Sequence, residues 1–380
     1  MDKTTYETLS ESLYGPNGSI KELLNKTLNL MIEAEFETKI GARKNERIAT
    51  RKGYRCGYRT RRFDTTCGTL TLRIPHPLKG GYVPTFLRRY QRYEQRLKET
   101  ISKAYVNGIS TGRMKSLVRS MGVEGISRGQ VSRITSELNT SIKAFRTRSL
   151  SDLDYHVLLI DATFERAREG TRAYYWAILT VVGLSSDGQR EVLAVEAGTD
   201  ESADSYRKLL AQLLRRGLRP PRFIVSDGAA GLLKAMSELL PETKWQRCQV
   251  HFMRNIMQNI RNVDKPTIAA EIKQIWHTSD KCSALARAFG IIDKYRHKYP
   301  AAMWCLKSGI WDTLTYIDFK EFNPKWIKTT NLIERLHETY KCRSKTVGVF
   351  PNIQSCIKLF TLIAMKWSAY YTNSETPSDT

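Results

Sequence analysis

The sequence predicts an α/β protein in which a mixed sheet is interrupted by an all-helical insertion and preceded by a basic helical region. Three observations predict it. Short apolar runs of strand type gather between residues 151 and 250, and the later ones alternate with helical periods. From residue 251 to about residue 320 strand signals vanish and apolar residues recur at helical spacing. Ahead of residue 100, positive charge is concentrated rather than spread.

At 380 residues the chain exceeds one ordinary core, and its 41% hydrophobic and 10% aromatic content excludes wholesale disorder. The 61 Lys and Arg against 38 Asp and Glu leave a formal charge of +23. Such a field suits a protein that handles a polyanion, although charge alone also fits a merely basic, ribosomal-type protein. Residues 1–13 lack a basic flank followed by an apolar core, so no secretory signal is expected. The most apolar stretch, residues 174–184, is far shorter than the roughly 20 residues of a membrane span. Seven scattered cysteines without a CxxC pair fit free thiols in a reducing compartment. No membrane partner and a cytoplasmic location are therefore expected.

Along the chain, residues 39–98 carry 17 Lys and Arg against three acids, Glu46, Asp64 and Glu94. Within them Lys52, Arg55, Arg59, Arg61 and Arg62 interleave with Tyr54 and Tyr58. Guanidiniums pair with phosphates, tyrosines lie on sugars or bases, and the glycines at 53 and 57 let backbone approach. The bland alternative is a solvated loop. Residues 101–145 read as consecutive helices: one stopping at Asn107-Gly108, a second over 111–121 capped by Ser110, and a third from Arg128 capped by Ser127. A short glycine-containing link between the last two is the helix-turn-helix pattern, with Arg128, Gln130 and Arg133 at the front of the recognition helix.

From residue 152 the texture changes. Strands are predicted at 156–160, 174–182 and 191–197, a helix at 202–216, a strand at 222–225, a helix at 230–240 and a strand at 244–249. Three strands, helix, strand, helix, strand is the ribonuclease H arrangement. Trp245, Trp276, Trp304 and Trp311 read as core, while Trp311 and Trp326 are also candidates for packing on an unpaired base. Helices over 331–343 and 352–371 close the chain, with a frayed tail beyond.

Asp161 ends the first predicted strand and Asp227 follows the fourth. If these strands are neighbours, the two carboxylates meet and repel unless a cation sits between them, and hard oxygen donors suit magnesium or manganese. Each aspartate alone reads better as a turn or helix cap, and only the pair in this strand order favours the metal. The ribonuclease H arrangement places a third acid on a later helix. Glu334 lies in the first turns of the helix starting near Asn331, Glu338 is its rival, and Lys341 shares its face.

Four stretches then carry a family resemblance: Ile160-Asp-Ala-Thr163; Val225-Ser-Asp-Gly228; Trp245-Gln-Arg-Cys-Gln-Val-His-Phe-Met-Arg-Asn255; and Thr330-Asn-Leu-Ile-Glu-Arg335, followed by Val347-Gly-Val-Phe-Pro-Asn352. With Ile126-Ser-Arg-Gly-Gln-Val-Ser-Arg133 and the basic Gly-Tyr-Arg segment, they make residues 40–370 resemble the Mutator-type transposases of bacterial insertion sequences, a branch of the DDE recombinases. The resemblance implies a catalytic triad of Asp161, Asp227 and Glu334 holding two Mg²⁺ (or Mn²⁺) ions. It implies cleavage and strand transfer of double-stranded DNA, at terminal inverted repeats and target, by a homodimer or higher oligomer. Arg335, Lys341 and Arg343 would hold DNA at that site. The Cys248-x-x-His251 pair belongs to the same block and is read as structural or DNA-proximal, two ligands short of a zinc site. Two departures stand out: Gly228-Ala229 where the family has Ala-His, and Asn331-Leu-Ile333 where it has Asn-Pro-Leu.

The expected organisation is a basic helical region at 1–100, a helix-turn-helix domain at 101–150, a ribonuclease H-like catalytic domain at 151–250 and 329–372 split by a helical insertion at 251–328, and a tail at 373–380. The alternatives are a ribonuclease H-like nuclease without strand transfer and a catalytically dead helix-turn-helix regulator.

Overall fold

A computed structural model describes residues 3–15, 18–88, 91–106, 109, 111–124, 126–136, 138–152, 154–185 and 188–373. The chain divides into two compact units, residues 1–138 and 139–380.

The first unit opens with helices α1 (Lys3–Tyr14) and α2 (Ile20–Ile40). Ser19 caps α2 by accepting from Glu22 N at 3.1 Å, and Gly41 ends it in the left-handed region at φ 69°. An antiparallel hairpin follows, β1 (Arg55–Thr65) and β2 (Gly68–Pro77). The region expected to be helical thus contains a hairpin, and Arg55, Arg59, Arg61 and Arg62 of its cationic segment lie in a strand. The apolar alternation that specifies the hairpin lies mostly in its partner, where Leu70, Leu72 and Ile74 pack with Phe63 on Ile32, Phe36 and Ile40 of α2.

Helices α3 (Gln95–Val106), α4 (Thr111–Ser120) and α5 (Arg128–Ser136) share a small core of Leu97, Ile101, Met114, Val118, Val123, Ile126, Val131 and Ile134. The expected stop at Asn107-Gly108 and cap at Ser110 lie outside the described residues. Ser127 does cap α5: its Oγ accepts from Gln130 N at 3.1 Å while Ser127 N donates to Gln130 Oε1 at 2.7 Å, a reciprocal capping box.

In the second unit α6 (Leu138–Thr147) leads into β3 (Tyr155–Glu169), β4 (Arg172–Ser185), β5 (Arg190–Gly198), α7 (Ala203–Arg215), β6 (Phe223–Ser226), α8 (Ala230–Leu239) and β7 (Lys244–Arg247). The sheet order is β5-β4-β3-β6-β7, with β4 antiparallel to both neighbours and β3, β6 and β7 mutually parallel. The first and fourth strands of this unit, β3 and β6, are thus neighbours in a mixed sheet. Helices α9 (Gln249–Met257), α10 (Lys265–Ile275), α11 (Lys281–Tyr295) and α12 (Pro300–Gly309), two 3₁₀ turns (Trp311–Thr313 and Thr315–Asp318) and α13 (Pro324–Ile327) form the helical stretch. Helices α14 (Asn331–Val347) and α15 (Ile353–Asn373) close the fold.

Alternation along the strands builds two cores. Leu158, Ile160 and Ile224 face Tyr206, Leu210 and Leu213 of α7 and Leu232 of α8. Val157, Leu159 and Val225 face the layer that holds Leu336 and Tyr340 of α14 and Phe360 of α15. The helical stretch belongs to this second core through Trp276, which is 6% exposed.

Two expectations are corrected. Trp304 and Trp311 are not core: they are 73% and 57% exposed, because α12 buries the stripe of Ala302, Met303, Leu306 and Gly309 instead of Trp304, and the 3₁₀ turn that holds Trp311 buries Thr313. Asp161 does not end its strand, since the β3–β4 ladder continues to the Glu169–Arg172 pair and Phe350 bridges to Ala167. The strand that does stop nearby is β6, at Ser226.

Candidate active site

The parallel register sets the first two acids level. Leu159 pairs with Val225, so Asp161 and Asp227 each lie two residues further along adjacent chains. An even step keeps Asp161 on the Leu159 face. It is 8% exposed, while Asp227 is half-buried. Each carboxylate receives one backbone donor: Ala162 N to Asp161 Oδ1 at 3.0 Å, and Ala229 N to Asp227 Oδ1 at 3.1 Å. Gly228, at φ 94°, makes the turn that follows β6 in a conformation other residues rarely adopt.

Helix α14 is pinned along β3 by polar contacts inside the buried layer. His337 sits with Nδ1 3.5 Å from Asp161 Oδ2 and Nε2 3.0 Å from Thr180 Oγ1. Seven residues on, Ser344 Oγ donates to Glu165 Oε1 at 2.9 Å. Glu334 precedes His337 by one turn. Its Oε1 is 3.2 Å from His251 Nε2 and 3.9 Å from Arg254, yet that buried oxygen makes no hydrogen bond, so these are charge contacts rather than aligned ones. The rival Glu338 is exposed.

The Cys248–His251 pair is the joint between these pieces. Cys248 N donates to Ser226 O at 2.7 Å, while Thr330 donates to Cys248 Sγ from N at 3.4 Å and from Oγ1 at 3.3 Å. One cysteine thus ties the end of β6 to the start of α14. His251 is pushed up to about 9, first by its hydrogen bond with Cys248 and then, against burial, by the charges of Cys248, Asp161 and Glu334. For the Cys248 thiol, burial works upward but is outweighed by hydrogen bonds with His251 and Thr330, which hold it low. Glu201, between β5 and α7, is a further acid here: burial raises its carboxyl, and the charges of Asp227 and Asp161 raise it more.

Among the described residues no group of three or more His, Cys, Asp and Glu side chains is gathered to hold a metal ion. That applies to Cys248 and His251 and to the three acids as they stand. The backbones carrying Asp161, Asp227 and Glu334 converge, but Glu334 turns toward His251, where opposite charge replaces carboxylate repulsion.

The cations predicted to touch DNA differ in what they do. On α14, Arg335 and Lys341 are exposed and Arg343 is half-buried. Arg335 lines a hollow of about 140 Å³ with Arg190, Lys325 and Trp326. In the first unit, Lys52 is exposed, whereas Arg55 is 12% exposed, pairs with Glu33 at 2.6 Å and stacks on Phe36. Arg59 donates to Tyr82 O at 2.9 Å, Arg61 to Gln91 O and Arg62 to Glu124 O. These three line one open cleft of about 950 Å³ with Arg92, Asp64 and Gln130. Burial, and then the charges of Arg59 and Arg92, lower the pKa of Arg61. Gln130 spends its amide oxygen on the capping box, Arg133 is exposed, and the Arg128 side chain lies outside the described residues.

Sequence reading missed His337, Glu201 and Arg92. His337 was legible as the residue one turn after Glu334. Glu201 and Arg92 carry no local signal, since only the chain's return brings them to their sites.

Residues 2–374 match the family described as Transposase, Mutator family. The transposase for insertion sequence element ISRM5 of Rhizobium meliloti (strain 1021) is 33% identical over 371 residues, covering 96% of this chain and 93% of the relative. The transposase for insertion sequence element IS256 in transposon Tn4001 of Staphylococcus aureus is 30% identical, covering 91% and 89%. That for insertion sequence element IS1081 of Mycobacterium tuberculosis (strain ATCC 25618 / H37Rv) is 32% identical, covering 90% and 82%. With its mixed sheet and the matching blocks in order along nearly its full length, the chain belongs to the Mutator family of transposases.

Proposed function

We propose that this transposase binds the terminal inverted repeats of its element and cuts and joins DNA strands at a site formed by Asp161, Asp227 and Glu334. One observation carries the reading. Asp161 lies level with Asp227 on adjacent chains, and the helix on the same face brings Glu334, whose Oε1 is buried without a hydrogen-bond partner. Carboxylate oxygens so arranged are the donors that magnesium or manganese takes, and an orphaned oxygen fits a ligand-holding role. Two such ions, when bound, supply an acidified nucleophile and charge neutralisation at the leaving oxygen.

The chain's own groups orient the acids. Ala162 N and His337 hold Asp161, Ala229 N holds Asp227, and the packing of α14 on β3 sets Glu334. His251 adds positive charge beside the carboxylates, easing the approach of a polyanion. Water, and then a DNA 3′-hydroxyl, is the nucleophile, so no side chain bonds covalently to DNA. Arg59, Arg61, Arg62 and Arg92 grip the backbone of the inverted repeat, Arg133 on α5 reads base edges, and Arg335, Lys341 and Arg343 hold DNA near the acids. Joining two ends calls for at least two copies on the DNA.

The test is incubation with DNA carrying the element's flanking ends plus Mg²⁺, with nicked and joined products read at nucleotide resolution. Asp161→Ala is expected to lose about 4 kcal/mol of transition-state stabilisation, roughly a thousandfold in rate. It should bind ends as the unsubstituted protein does. Cutting that survives Asp161→Ala would sink the proposal, and cutting without any joined product would reduce it to a nuclease.

A further inference from the structure

Arg247 is the last residue of β7 and pairs in register with Ser226, so it emerges at the sheet edge where the chain turns into Asp227. Its guanidinium lies over the Phe252 ring at 4.8 Å. One glycine makes room for it: a Cβ on Gly309 would sit 2.6 Å from Arg247 Nη1, while Gly228, next to Asp227, lies within ordinary contact distance of Arg247 Nε. Nε is buried with no hydrogen-bond partner. Burial pushes the carboxyl of the half-buried Asp312 up, and the Arg247 charge works against it. No ion pair joins the two among the described residues. A guanidinium held by one ring face and one missing side chain, rather than by an acid, keeps its donors for something else.

We infer that Arg247 is a phosphate-binding residue of this site, donating to a non-bridging oxygen of a DNA phosphate beside Asp227. The planar fork matches phosphate, and the position lies on the Asp227 side of the site, away from the cations of α14. The inference rests on the transposase reading and adds to it a named contact.

The experiment uses element ends carrying a single neutral methylphosphonate at each phosphate around the cleavage point. Single-turnover cutting is followed with the unsubstituted protein, and end binding in the Asp161→Ala background, each with and without Arg247→Gln. On natural ends Arg247→Gln should cost about tenfold in affinity or rate, the worth of a hydrogen bond to a charged group. At one phosphate the methylphosphonate should cost the unsubstituted protein the same factor and add nothing to Arg247→Gln. Arg247→Lys should recover part of the loss, and melting curves of both variants separate contact from folding. If the two penalties multiply at every phosphate, or Arg247→Gln behaves as the unsubstituted protein, the inference is overturned. Failure of the unsubstituted protein to cut natural ends would instead overturn the transposase reading itself.

Discussion

Ser344 donates its hydroxyl to Glu165 at 2.9 Å across 179 residues of sequence, inside the layer between α14 and β3. With the His337–Asp161 contact at 3.5 Å, it fixes both the height and the rotation of α14 along the strand. Glu334 is where it is because these two polar contacts leave the helix one seat.

That contact has a pH signature. Burial pushes the Glu165 carboxyl up, against the Ser344 hydrogen bond and the charges of Lys341 and His337. A carboxyl raised in this way binds its proton more tightly in the folded chain than in the unfolded one. Its contribution to stability is present below about pH 4.5, the ordinary value, and is lost as pH rises through the folded value. Glu165→Gln keeps an acceptor for Ser344 and removes the charge. Its melting temperature is expected to exceed that of the unsubstituted chain at pH 7–8, with the gap closing toward pH 4. A gap independent of pH would show that Glu165 ionisation is not the cause.

The hairpin arginines should separate into two kinds. Arg55 is committed to Glu33 and Phe36, so Arg55→Ala is expected to cost roughly 2 kcal/mol of stability and leave the salt dependence of DNA binding unchanged. Arg61→Ala gives up a hydrogen bond to Gln91 O and should cost only about 1 kcal/mol, but it should reduce the slope of log affinity against log salt by about 1, one phosphate contact. Urea melts and a salt titration of end binding check both, and the reverse pattern would reassign the two residues.

Gln130 closes the capping box of α5. Gln130→Ala is expected to cost about 1 kcal/mol and Gln130→Glu almost nothing, since either side chain accepts from the Ser127 N–H. Base preference at the inverted repeat should follow Arg133 rather than Gln130. A shifted preference in Gln130→Glu with unchanged stability would return Gln130 to base reading.

The tryptophans provide a contrast within one helical layer. Trp276 is buried and donates Nε1 to Thr313 Oγ1 at 3.0 Å, so Trp276→Ala should cost roughly 3–5 kcal/mol. Trp304→Ala, at an exposed site, should fall within about 0.5 kcal/mol of the unsubstituted chain. Equal losses in denaturant melts would contradict the burial pattern.

Local chemistry made much of this legible in one dimension. Apolar runs marked all five strands of the large sheet, by alternation only in β5; a cap marked α5, helical period marked α7, and Asp227 stood out at the end of an apolar strand. The β1 strand was hidden because its cations mask the alternation, which lives in β2 and in the α2 face it covers. Trp304 and Trp311 misled because size suggests burial, while the phase of α12 turns Trp304 outward and the 3₁₀ turn after it buries Thr313 rather than Trp311.

What only the tertiary structure decided is which distant groups meet. No local pattern says that β6 lies beside β3 with Leu159 against Val225, that His251 answers Glu334, or that Arg92 joins the hairpin arginines in one cleft. Strand pairing and helix docking are chosen by the sum of buried area and satisfied donors over the whole unit. That sum is not carried by any short stretch of residues.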